Sequence, residues 1–265
     1  MAIDYIIDYV CYPKQELTTE GILERIKGRA RAEAVIDLFR KSGDNRPPEE
    51  IGFELVRNTP EGAEETRVVM VGDLLTRAAE LSPLEMYCQG CPANNSGQPF
   101  GCIGQVEYPI SGVAEIWLLN QLPTPTEPLP WLLLRQALDE FKVDGSSINP
   151  MRGVDQPFFQ EQGVLLRGLG EFNINTNQVF EMLFSVGHIR PSYAAVLLLL
   201  FGVIQRDMEA DQIMALSKSP DDAFERYPFL FTPAPDDDLT ITQFKTFFRA
   251  LYLAWGLNVR LLVDA

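Results

Sequence analysis

The residues in this chain whose types and spacing point most directly to chemistry are its four cysteines, Cys11, Cys88, Cys91 and Cys102. Three of them form a Cys-x2-Cys-x10-Cys cluster. The two-residue spacing lets the thiolates of Cys88 and Cys91 reach one ion from a single tight turn. Gly90, Gly97, Gly101 and Gly104 give the backbone freedom to fold around the sulfurs without Cβ clashes. Four thiolates make a closed tetrahedral set that suits a structural zinc ion, because no coordination position is left open. The same set suits an iron–sulfur cluster, but the dense Cys-x2-Cys-x2-Cys run of bacterial ferredoxins is absent. Zinc is therefore the first expectation and iron–sulfur the second. A redox Cys-x2-Cys is third in rank, since that chemistry wants the motif at a helix N-terminus and here it follows a helix. Simple burial as small hydrophobes fits Cys11 on an apolar strand but fits the polar, Gly-rich cluster poorly.

Other chemistry-bearing residues have plainer readings. His188 is the single histidine, placed between two expected helices, where it reads as a cap residue. One histidine builds no triad and no mixed metal cluster. Neither a Gly-x-Ser-x-Gly elbow nor a Walker A motif is present, and Gly168-Leu169-Gly170 is only a fragment of a dinucleotide-binding loop. Arg25, Lys27, Arg29 and Arg31 read as a solvated helix face paired with Glu20, Glu24 and Glu33. Asp236-Asp237-Asp238 lacks calcium-loop spacing, so Asp238 is expected to cap the last helix. Asp4 and Asp8 share a strand face, with Glu107 on an expected neighbour, and exposure to solvent accounts for them. No catalytic residue is assigned.

These residues need elements to position them. Ile3 to Cys11 alternates as a strand closed by Pro13. Thr18-Thr19-Glu20 opens a long helix that ends at Ser42-Gly43. Ile51 to Arg57 and Thr66 to Val71 read as strands joined by a turn at Asn58-Thr59-Pro60-Glu61-Gly62. Asp73 is expected to cap a helix running to Leu81, the cysteine loop follows, and Gly104 to Ile110 alternates as a last strand. Strand, helix, strand, strand, helix, strand is the order of a ferredoxin-like (βαββαβ) sandwich. In that fold the first and last strands are antiparallel neighbours. Cys11 would then end one, Cys102 would precede the other, and all four sulfurs would converge.

Beyond it, Ser111 to Leu122 reads as a helix, and Pro123, Pro125, Pro128 and Pro130 form a stiff connector. Further helices are expected at Leu129 to Phe141, Thr176 to Val186, Pro191 to Gln205, Asp211 to Lys218 and Thr240 to Leu257. Gly145 to Pro157 and Ser219 to Asp238 read as loops. The expectation is an α+β chain: a ferredoxin-like metal-binding half over residues 1–122, then a mainly helical half over 123–265 that packs on it or shares one core with it.

Composition sets the outer bounds. The chain has 265 residues, 46% hydrophobic and 22% charged, with a formal net charge of -15 spread evenly over both halves. That charge argues against nucleic acid and against an anionic membrane surface. The first residues lack the pattern of a secretion leader, and the longest apolar run, Ala194 to Ile204, is too short to span a bilayer. A cytoplasmic location follows as the expectation, and there cysteines are thiols or metal ligands rather than disulfides. The functional expectation is a non-catalytic zinc-binding protein acting through protein–protein interaction.

Overall fold

The computed structural model describes residues 2–58, 64–153 and 158–264. The elements run β1 (Ala2–Ile7), α1 (Tyr12–Leu17), α2 (Thr19–Lys41), β2 (Gly52–Asn58), β3 (Glu64–Met70), α3 (Val71–Ala79), a 3₁₀ segment (Ser82–Cys88), β4 (Ile103–Glu107), α4 (Gly112–Gln121), α5 (Pro128–Glu140), β5 (Leu166–Gly168), β6 (Asn173–Asn175), α6 (Thr176–Phe184), β7 (His188–Ile189), α7 (Pro191–Leu200), α8 (Ala210–Ala215), α9 (Ala223–Arg226), α10 (Leu239–Gly256) and β8 (Leu261–Asp264). The class is α+β, as expected. No helix among the described residues is long and apolar enough to cross a membrane.

Helix starts follow local chemistry. The Thr18 hydroxyl accepts the Gly21 N–H at 3.1 Å, Ser111 accepts from Ala114 at 3.1 Å, and Asp238 accepts from Ile241 at 2.7 Å. Each bond satisfies an orphan donor of the first turn. Asn175 and Gln178 close a reciprocal capping box on α6. The α3 helix instead begins two residues before the expected cap, so Asp73 lies in its first turn.

The chain forms two compact units, Met1–Tyr9 with Pro92–Ala265, and Val10–Cys91. The connector around residue 122 lies inside the first. That unit is built on a four-stranded antiparallel sheet in the order β4-β1-β8-β7. The α10 helix packs on β1 and β4, with Phe247 edge-on to Tyr5 at 5.3 Å, and α7 lies beside it. Phe180, Phe184, Phe201, Phe244, Phe247, Phe248 and Trp255 are buried and make this core aromatic. The end of α4 is held by two arginines. Arg167 donates to the Leu119 and Leu122 carbonyls, and Arg206 donates to Gln121 and to Leu199 and Leu200 at the end of α7. Cations at helix C-termini complement the exposed carbonyls.

The second unit contains α1, α2, the β2–β3 hairpin, α3 and the 3₁₀ segment. Ala32, Ile51 and Val71 are buried at its centre, packed by Val35, Ile36, Phe39, Phe53, Leu74 and Leu75.

The expected ferredoxin-like order does not form. The neighbours β1 and β4 are antiparallel, as the sandwich requires, but β2 and β3 pair only with each other among the described residues. The place beside β1 goes to β8, a strand the reading of Thr240 to Leu257 as the final element left out. The turn expected at Asn58 to Gly62 falls largely outside the described residues, as does the end of the loop from Gly145 to Pro157. The first strand ends at Ile7 rather than Cys11, because Cys11 takes the extended N-cap position of α1 with Pro13 in its first turn. Asp4 is buried rather than exposed, since β1 is a central strand covered on both faces. His188 is a strand residue paired with Leu262 and not a helix cap. The stretch from Ser219 holds a short helix, α9, with Ala223 and Tyr227 buried.

Candidate metal centre

Cys11, Cys88 and Cys91 belong to the second unit and Cys102 to the first. None is in a disulfide, and all four are half-buried. Cys88 closes the 3₁₀ segment, and the Cys91 N–H reaches the Cys88 carbonyl at 3.4 Å, so the pair shares one turn. Gly90 between them has φ +69°, a left-handed conformation for which glycine is suited, with open space where a Cβ would stand. Cys11 makes no side-chain capping bond on α1. The α1 helix packs against the 3₁₀ segment, and the residues next to the cysteines touch: the Tyr12 and Tyr87 ring centroids are 4.6 Å apart. Two stretches remote in sequence thus bring Cys11 to the same end of the unit as Cys88 and Cys91.

Cys102 lies just before β4, where its carbonyl accepts the Ile7 N–H at 2.9 Å. The loop leading to it is firmly organised. Ala93, Asn95 and Phe100 are buried. Asn94 accepts the Gly97 N–H at 2.9 Å, and the Asn95 side chain donates to the Thr246 carbonyl of α10 at 2.9 Å. The Asn95 side-chain oxygen is buried without a partner among the described residues. A Cβ on Gly101 would stand 2.1 Å from Asn94 Oδ1, so this glycine serves close packing within the loop.

Among the described residues no three of His, Cys, Asp and Glu form a group placed to hold a metal ion. The structure shows a shared Cys88–Cys91 turn and Cys11 at the same end of that unit, and it places Cys102 at a strand start in the other unit.

The basic stretch of α2 has a structural task. Arg25 donates to Glu80 at 2.6 and 3.1 Å and to the Gly21 carbonyl at 2.8 Å, while Arg77 reaches Glu24 at 3.3 Å. Its pairing runs across to α3 and its end rather than only along α2, because α2 and α3 pack side by side.

Sequence reading passed over two features of the first unit. Glu115 is fully buried and paired with Arg152, whose guanidinium also donates to Asn177 Oδ1 at 2.7 Å and Thr176 Oγ1 at 2.9 Å and lies 3.9 Å from the Phe159 ring centroid. The signal was present: Glu115 falls on the apolar helical face of Ala114, Leu118, Leu119 and Leu122, where an acid needs a buried partner. The second feature is Tyr108, whose hydroxyl is buried without a partner among the described residues. Burial pushes its pKa up to about 12, so the phenol stays neutral.

No protein-family model, no curated protein and no solved structure matches the chain.

Proposed function

We propose that this is a non-catalytic metal-binding protein in which Cys11, Cys88 and Cys91 hold a structural zinc ion as thiolates. Cys102 is carried as the fourth ligand by the Cys-x2-Cys-x10-Cys spacing alone. The observation that supports the reading most is that three of the four cysteines gather at one end of the second unit, from α1 and from the turn after the 3₁₀ segment. That unit has reason to use a metal. Its buried hydrophobic residues among those described are Ile22, Ala32, Ile51, Val71, Ala78, Leu81 and Leu84, two of them alanines. A small core supplies little stability, and structural zinc adds ~10–16 kcal/mol of apparent binding energy that becomes folding energy.

Action through another protein is supported by the same end of the unit. Val10, Tyr12, Met86 and Tyr87 are exposed beside the cysteines. Exposed aromatic and methionine side chains are enriched at protein interfaces. The net charge of -15 favours a basic partner and disfavours nucleic acid.

Elemental analysis and an absorption spectrum on protein purified without air test the reading. One zinc per chain with no visible band is the expected result. Iron with sulfide and a band near ~400 nm would replace zinc by an iron–sulfur cluster on the same cysteines. Metal-free protein of undiminished stability would end both.

A further inference from the structure

Six large hydrophobic side chains are exposed among the described residues of the second unit. Four of them, Val10, Tyr12, Met86 and Tyr87, come from two stretches that pack together. Single exposed hydrophobics are ordinary, but a cluster marks a contact surface. Tyr12 opens α1 and Tyr87 lies in the 3₁₀ segment. Their ring centroids are 4.6 Å apart with the planes inclined by 43°, yet the two residues remain 45% and 47% exposed. Each ring is thus steadied by the other and keeps surface open to solvent.

The chemistry of this surface favours a cation. The face of a tyrosine ring carries partial negative charge. Glu16 stands one helical turn beyond Tyr12 on α1. Its charge, and then the hydrogen bond it accepts from the phenol, push the Tyr12 pKa up, so a carboxylate sits beside the rings. Stretches 10–17 and 82–91 hold one base, Lys14, against Glu16 and Glu85, and Glu85 reaches Arg29 of α2 at 3.8 Å. A second copy of the chain would bring a net charge of -15 against the same charge, and an anionic membrane surface would be repelled likewise. Arginine suits the surface better than lysine. Its planar, weakly hydrated guanidinium stacks on aromatic faces and pairs with a carboxylate through two donors. Val10 and Met86 offer apolar surface to the stem of such a side chain.

We propose that the Tyr12–Tyr87 surface binds an arginine-bearing basic segment of a partner protein, with the guanidinium on the tyrosine rings and Glu16 as its counter-charge. This assignment rests on the reading that this end of the unit meets another protein, and it does not need the metal.

Fluorescence anisotropy with a labelled peptide of four Arg-Gly-Gly repeats, added to full-length chain whose metal content is measured in the same sample, tests it. Saturable binding with one peptide per chain is expected. Four Lys-Gly-Gly repeats, of equal charge, should bind about two- to fivefold more weakly. Tyr12→Leu with Tyr87→Leu keeps apolar bulk and should weaken the arginine peptide by about five- to thirtyfold, whereas Tyr12→Phe with Tyr87→Phe should keep most of the affinity. Glu16→Gln should weaken it more than Glu33→Gln, which removes the same charge from an exposed position about 21 Å along α2 from its start. Equal affinity for the two basic peptides would overturn the assignment. So would undiminished binding by the folded leucine variant, or equal losses at Glu16 and Glu33; should the leucine variant not fold, the other two comparisons decide. Preference for an uncharged peptide of four Leu-Ser-Gly repeats would also overturn it, while leaving a protein partner in place. Zinc-loaded protein that ignores the arginine peptide ends this assignment and spares the metal site, and metal-free protein that binds it does the reverse.

Discussion

Tyr5 stands opposite Gly104 across the β1–β4 pair, and its ring occupies the space a side chain at residue 104 would need. A Cβ there would be 2.4 Å from both Cζ and Oη of Tyr5. The ring is buried between this bare backbone and Phe247 of α10. This β4 glycine is thus a packing partner of the central strand.

Gly104→Ala should destabilise the protein by about 1–3 kcal/mol, the usual cost of overpacking. In a Tyr5→Ala background the same change should cost almost nothing, because the obstructing ring is gone. Urea unfolding of the two single variants and the double variant reads the coupling. Strictly additive effects would show that the contact does not limit residue 104.

The Arg152–Glu115 pair is buried on both sides, with side-chain exposures of 5% and 0%. Glu115→Gln leaves the guanidinium unpaired and should cost about 3–5 kcal/mol. Replacing both by apolar residues, as Glu115→Leu with Arg152→Met, should recover much of that loss. A single-variant loss under ~1 kcal/mol, typical of surface pairs, would place the pair in contact with solvent.

Stability should fall at alkaline pH. Burial raises the phenol pKa of Tyr5, and raises those of Tyr108 and Tyr193 to about 12. Unfolded, these groups release their protons near pH ~10. Above that pH the unfolded chain binds fewer protons than the folded one, so the contribution is complete below about 10 and is lost as pH rises through the folded values. The urea midpoint should therefore drop between about pH 10 and about 12, and Tyr193→Phe should flatten that drop. An unchanged pH slope in Tyr193→Phe would remove this residue from the account.

If the cysteines hold zinc, Cys11→Ser should lower metal content and melting temperature together. A strong chelator should make residues 10–91 the first region cut by protease. Cys102→Ser separates the two versions of the site: loss of the metal makes Cys102 a ligand, and retention leaves the three cysteines of the second unit. If Cys11→Ser changes neither metal nor stability, the proposed site is wrong.

Much of the local structure was legible without coordinates. Asp238 caps the last helix as expected, the helices expected to open at Thr18-Thr19-Glu20 and at Ser111 do open there with Thr18 and Ser111 as caps, and the β2–β3 hairpin and the first-with-last pairing of β1 and β4 were read from alternation and order. Among the cysteines, the shared turn of Cys88 and Cys91 was legible from spacing, and the separation of Cys102 into the other unit was not.

Caps, periodicity and glycine turns depend on neighbours within one turn or one strand, and residue order alone reveals them, together with the acidic, apolar balance of the chain. Which strand lies beside β1, why Asp4 is buried, how Arg152 finds Glu115 and why the Tyr108 hydroxyl has no partner among the described residues are set by packing between remote segments. The difference is one of range. A cap is a bond across three residues, whereas β8 meets β1 across nearly the whole chain. Several distant segments can satisfy the same open strand edge, and the choice among them belongs to the packing of the whole core.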